Sequence, residues 1–178
     1  MSPVIAAVKD VDGMKKCFES ECQTVFVLYG TICNIGDIVR EIKKHGKYAM
    51  VHADFTQGLG AKEIAVDFIR ENTLADGVIS TKPQLVKRAK ELGMYGILRA
   101  FLVDSIAMNT TKKQLELFHP DMVEIMPGIM PKILKDIRSF VSVPVIAGGL
   151  LTEKKDVMSA LSAGADAIST TNRNLWKM

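Results

Sequence analysis

Residues 122–149 read MVEIMPGIMPKILKDIRSFVSVPVIAGG, and this stretch decides the fold. Met122–Met126 is a short apolar run that carries one carboxylate, Glu124. After a Pro-Gly break, Pro131 suits a first helical position and opens a segment with Ile133, Leu134, Ile137 and Phe140 at helical spacing. Pro144–Ala147 is a second apolar run, ending in Gly148-Gly149. Strand, helix and strand in this order make a parallel pair, because the helix must return the chain to the end where the first strand began.

The same unit recurs in both directions. Toward the N-terminus, strands are predicted at Val4–Val8, Thr24–Leu28, Tyr48–His52, Gly77–Ile79 and Met94–Phe101, and toward the C-terminus at Ala167–Ser169. The segments between them are helical in period. Ile35, Ile38, Val39 and Ile42 close at Gly46, Leu85, Val86, Ala89 and Leu92 close at Gly93, and Val157, Ala160 and Leu161 end at Gly164. A helix is expected over Lys112–Phe118 and a short last one around Asn172–Lys177. Eight strand-then-helix units predict an α/β fold, a small TIM-like (β/α)8 barrel with a parallel sheet. A doubly wound nucleotide-binding sheet is disfavoured, since no GxGxxG follows the first strand and Gly58-Leu59-Gly60 follows the third.

Composition agrees with one folded domain over residues 1–178. The chain is 48% hydrophobic and 24% charged with a net charge of +3, which excludes disorder and a strongly basic tail. No apolar run reaches the ~20 residues of a membrane span, and the N-terminus lacks the pattern of a signal peptide. Cys17, Cys22 and Cys33 form no CxxC pair and read as free thiols of a cytoplasmic protein. With His45, His52 and His119 at no ligand spacing, neither a metal nor any other cofactor is expected. At about 22 residues per unit, there is no room for an inserted lid or an appended module.

In such a barrel, ligands bind at the C-terminal ends of the strands. Those ends carry Asp54, then Ser80-Thr81-Lys82, Arg99, Glu124 with Gly128, Gly148-Gly149, and Ser169-Thr170-Thr171-Asn172. Gly148 and Gly149, with Thr170, Thr171 and the start of a short helix, are suited to a phosphate; a tight turn and a helix cap would use the same residues. Gly128 would extend the cradle. Arg99 and Glu124 lie on neighbouring strands and point into the mouth, either as a structural ion pair or toward ligand hydroxyls, and Asp54 would orient hydroxyls. His52 reads as a satisfied core histidine and Lys82 as a solvated lysine. No strand interior carries a Schiff-base lysine, and Asp54 with Glu124 is the one acid–base pair on offer.

Longer motifs carry a resemblance. Met50-Val51-His52-Ala53-Asp54, Asp76-Gly77-Val78-Ile79-Ser80-Thr81, Arg99-Ala100-Phe101-Leu102-Val103-Asp104-Ser105, the run Pro120 to Pro131, Ala147 to Leu150 and Ser169 to Asn172 resemble the glycerol-uptake operon antiterminator family over essentially the whole chain. The stretch Asp10 to Cys33 departs from that pattern. The resemblance implies a barrel that senses glycerol-3-phosphate and acts on a leader mRNA so that transcription passes a terminator. Gly148, Gly149, Thr170 and Thr171 would hold phosphate, and Asp54, Arg99 and Glu124 would face the glycerol end. The rival from another class is a small phosphosugar lyase, isomerase or transferase.

RNA binding is not legible in composition alone. From Lys82 to Arg138 there are ten Lys/Arg against six Asp/Glu, and all of the ten but Arg99 fall on three adjacent outer helices, which makes a basic face or a plain solvated surface. Thr56–Gly60 and Asp104–Thr111 are the candidate mobile loops. Ile106, Met108 and Met130 near the mouth would either form a contact patch for a homo-oligomer or pack under their own loops.

Overall fold

The computed structural model describes residues 2–178. Its strands are β1 (Val4–Val8), β2 (Thr24–Val27), β3 (Tyr48–His52), β4 (Gly77–Ser80), β5 (Tyr95–Phe101), β6 (Met122–Met126), β7 (Val145–Gly148) and β8 (Ala167–Thr170). All pair in parallel and in sequence order, and β1 pairs with β8 to close the barrel. The strands lie within one residue of the expected limits.

Seven α-helices cover the outside: α1 (Val11–Phe18), α2 (Ile35–Lys44), α3 (Ile64–Asn72), α4 (Pro83–Glu91), α5 (Ser105–Phe118), α6 (Pro131–Arg138) and α7 (Lys154–Ser162). Period-two alternation sorts each strand onto two faces. Outward residues such as Val25, Val51, Leu98, Val123 and Ile125 join the shell under the helices. Inward residues Ile5, Ala7, Phe26, Met50, Ile79, Ile97 and Ile146 fill the barrel. One step further along the strands the inner face turns polar, with His52, Arg99, Glu124 and Ser169 all buried.

One expectation about the elements needs correction. The segment Asp104–Thr111 is not a loop: α5 begins at Ser105, and Asp104 caps it by accepting the Ala107 N–H at 2.7 Å. Only Thr111 and Leu115 of α5 are buried, so its first two turns show no apolar period to read. The last helix is a five-residue 3₁₀ segment, Arg173–Lys177, which buries Trp176 and donates its indole N–H to Thr170 O at 2.8 Å. The other candidate loop, Thr56–Gly60, is tied down at Gln57, which bridges to Thr31 and donates its N–H to Gly30 O.

The N-terminal end of the barrel carries a device that recurs every 45 residues. Asp76, Asp121 and Asp166 each stand just before an even-numbered strand. Each donates its N–H to the carbonyl of Ala49, Gly96 or Val145, and its carboxylate accepts the N–H of that same residue at 2.8 Å. A cation from a neighbouring helix pairs with each: Lys43, Lys90 and Arg138.

Candidate functional site

Arg99 and Glu124 are register partners on β5 and β6, and this brings the two side chains together inside the mouth. Arg99 Nε donates to Glu124 Oε2 at 2.5 Å, and the Ser169 hydroxyl donates to Glu124 Oε1. The Glu124 carboxylate reaches Ser169 by passing over β7, which is possible because Gly148 has no side chain. A Cβ there would stand 2.5 Å from Glu124 Oε1 and 2.7 Å from Ser169 Oγ. Charge and hydrogen bonds are thereby matched, as a buried ion pair requires. Nε is the only guanidinium nitrogen of Arg99 in a hydrogen bond among the described residues, so the terminal nitrogens remain for a ligand.

Arg99 lines a cavity of about 300 Å³ at the C-terminal face, together with Ala7, Leu28, Glu124, Met126, Gly149 to Thr152 and Ser169 to Asn172. Gly149 turns the loop after β7 at φ +77°, where a side chain would also strike Met126 Cε at 2.7 Å. Leu150 follows at φ +62°, an uncommon conformation for a leucine and one that costs about 1–2 kcal/mol. Two left-handed residues in succession at a cavity rim mark a backbone held in shape by its surroundings.

The phosphate candidates therefore divide. Gly149, Thr170 and Thr171 line the cavity together with Arg99 and Glu124. The Thr170 hydroxyl is already committed, donating to Leu151 O and accepting the Asn172 N–H, so it fastens the last two loops to each other. Gly128 and Gly148 serve packing: Gly128 lies against Ala147 and Gly148 backbone and donates its N–H to Gly148 O at 2.5 Å. Thr171 is exposed at the rim.

Asp54 sits off the strand, in the 3₁₀ turn Ala53–Phe55, and outside the cavity lining. Its carboxylate is paired with Lys82 and accepts from the Ser80 hydroxyl at 3.0 Å and the Thr81 N–H at 2.8 Å. Burial pushes its pKa up, but these hydrogen bonds outweigh burial and hold it below the ordinary value. Lys82 is thus a partner of Asp54 rather than a solvated lysine. His52, expected to be satisfied, is buried with neither ring nitrogen hydrogen-bonded. The only signal for it in the sequence was its place on the inner face of β3. Among the described residues, no cluster of three or more His, Cys, Asp or Glu is placed to hold a metal.

A model of the glycerol-3-phosphate responsive antiterminator family matches residues 4–176. The chain belongs to this family. Across it, the chain is 45% identical over 177 residues to the uncharacterized protein YgcP of Escherichia coli K12, covering 99% of this chain and 93% of that protein. The glycerol uptake operon antiterminator regulatory protein of Listeria monocytogenes superposes with a TM-score of 0.94 at 31% identity, covering 97% of this chain and 94% of that one. A glycerol uptake operon antiterminator-related protein of Thermotoga maritima gives 0.88 at 35% identity, with 99% of both chains covered. The Listeria monocytogenes protein is described as a regulator, and the barrel fold is one that enzymes use widely.

Proposed function

We propose that this chain senses glycerol-3-phosphate at the barrel mouth, and that occupancy controls its binding to the leader mRNA of glycerol-utilisation genes. The observation that carries the reading is Arg99: a buried guanidinium, neutralised at Nε by Glu124, with no protein hydrogen bond at its terminal nitrogens among the described residues, in the lining of a cavity framed by the loops after β7 and β8. An anion there gains charge-assisted hydrogen bonds in a setting of low dielectric. The phosphate rests on Gly149 and Thr171, with Thr170 fastening the two loops to each other and Gly128 and Gly148 shaping them from behind. The glycerol end lies toward Glu124, with Arg99 between it and the phosphate, while Asp54, outside the cavity lining and held by Lys82, does not reach it. No helix among the described residues is long and apolar enough to cross a membrane.

The enzyme reading is weaker. Its acid and base would be Asp54 and Glu124, yet each is held by its own cation and only Glu124 lines the cavity. Leader-RNA affinity measured with and without glycerol-3-phosphate decides between the two. A tightening or loosening of several-fold supports the sensor. Unchanged affinity sinks it, and turnover of the ligand favours the enzyme.

Ion pairs thin out the charge on the basic face where RNA would rest. On α4, Lys87, Arg88 and Lys90 are paired with Glu91, Asp67 and Asp121. Lys112 and Lys113 on α5 and Lys132 and Lys135 on α6 have no ion pair among the described residues. Reversing Lys113, Lys132 and Lys135 to glutamate is expected to weaken RNA binding about tenfold or more and to flatten its salt dependence. Filter binding at three salt concentrations checks this.

A further inference from the structure

His52 stands apart from the rest of the polar layer. Glu124 is satisfied by Arg99 Nε and the Ser169 hydroxyl, whereas His52, 1% exposed, has no hydrogen bond at Nδ1 or Nε2 among the described residues. The nearest carboxylate oxygen, Asp54 Oδ2, lies 3.7 Å from Nδ1 and already accepts from Ser80 and Thr81, while Lys82 holds Oδ1. Burial first, and the nearby Arg99 charge second, hold the imidazole neutral, with its pKa pushed down to about 3. The ring therefore offers one N–H donor and one bare acceptor nitrogen, and uses neither. Phe55 covers it at 4.3 Å between ring centroids, is itself half-exposed at the rim, and has the Arg99 guanidinium 6.0 Å from its own centroid.

Nearly all buried polar groups in folded proteins find partners, and one that does not costs stability. A phenylalanine would fill the same position without that cost. A donor and an acceptor left bare beside a buried arginine that also lacks partners on one side are complementary to a group that both gives and takes hydrogen bonds.

We propose that His52 is the hydroxyl-recognising residue of the effector site, its two nitrogens taking the hydroxyls of a three-carbon polyol phosphate once the Phe55 ring turns aside. This rests on the reading that such a ligand occupies the barrel mouth, and adds the residue that distinguishes it from an alkyl phosphate of equal size and charge.

The test compares glycerol-3-phosphate with n-propyl phosphate by calorimetry on the wild type, His52→Phe and His52→Gln. The wild type binds glycerol-3-phosphate at least tenfold more tightly, the worth of about one net hydrogen bond. In His52→Phe that preference collapses toward unity while propyl phosphate binding stays within about twofold, and in His52→Gln it is partly retained. The His52 ring ¹⁵N shifts of the wild type move on addition of glycerol-3-phosphate and not of propyl phosphate. Equal losses for both ligands in His52→Phe, or ring shifts that ignore glycerol-3-phosphate, overturn the assignment and leave the sensor reading standing. A wild type that binds neither ligand removes the sensor reading, and this assignment falls with it.

Discussion

At the scale of single residues, His52 and Gly149 give the clearest expectations. The folded chain resists protonating His52 until about pH 3, while an unfolded chain takes that proton near pH 6.5. Between those values the unfolded state binds more protons, so stability is complete above about pH 6.5 and is lost as pH falls toward 3. The slope from this one group approaches about 1.4 kcal/mol per pH unit. Urea unfolding at pH 7, 5.5 and 4.5 should show this slope in the wild type and a shallower one in His52→Phe. Gly149→Val forces a β-branched residue into φ +77° and drives Cβ against Met126. The expected outcome is loss of glycerol-3-phosphate binding, read by calorimetry, with far-UV circular dichroism unchanged. Of these two residues, Gly149 was legible from its place after the seventh strand. His52 was not, because a one-dimensional pattern reports which face a residue occupies and not whether its nitrogens find partners.

Among the elements, the repeated aspartates belong to stability and not to the ligand site. Asp76, Asp121 and Asp166 lie at the end of the barrel opposite the mouth, where barrel folds keep residues for structure. Asp121→Asn breaks the ion pair with Lys90 and weakens a bond to the Gly96 N–H, and should cost about 1–2 kcal/mol. Urea midpoints measure that cost, and glycerol-3-phosphate affinity should stay within about twofold. The 45-residue spacing was present in the chain all along, as Ala75-Asp76, Pro120-Asp121 and Ala165-Asp166. It escapes a motif search because its one constant side chain is a turn aspartate, and such residues abound for local reasons. Helix α5 shows the converse. Its N-terminal half is decided by the Asp104 cap and by solvent on most of its surface, so periodicity had nothing to find.

For the whole molecule, a ligand that binds only the folded barrel stabilises it by mass action. At a hundred times Kd this amounts to about 2.7 kcal/mol, and glycerol-3-phosphate should raise the melting temperature by roughly 5–10 °C in a thermal unfolding scan. Inorganic phosphate, which lacks the glycerol end, should raise it less at the same concentration. The apolar surface near the mouth is uneven: Ile106 and Leu150 stand in solvent, while Met108 and Met130 pack against the core shell. The alternation of strands and helices, and with it the parallel closed barrel and the end at which polar residues gather, is written in the order of the residues alone. This is possible because local periodicity and turn chemistry act over a few residues and need no knowledge of the partner strand. Only the tertiary structure decided that Glu124 reaches Ser169 across Gly148, that Asp54 is occupied by Lys82, and that His52 is left without a partner. Those outcomes depend on distances between side chains 26 to 45 residues apart in the chain, which are fixed by strand register and closure and by nothing local.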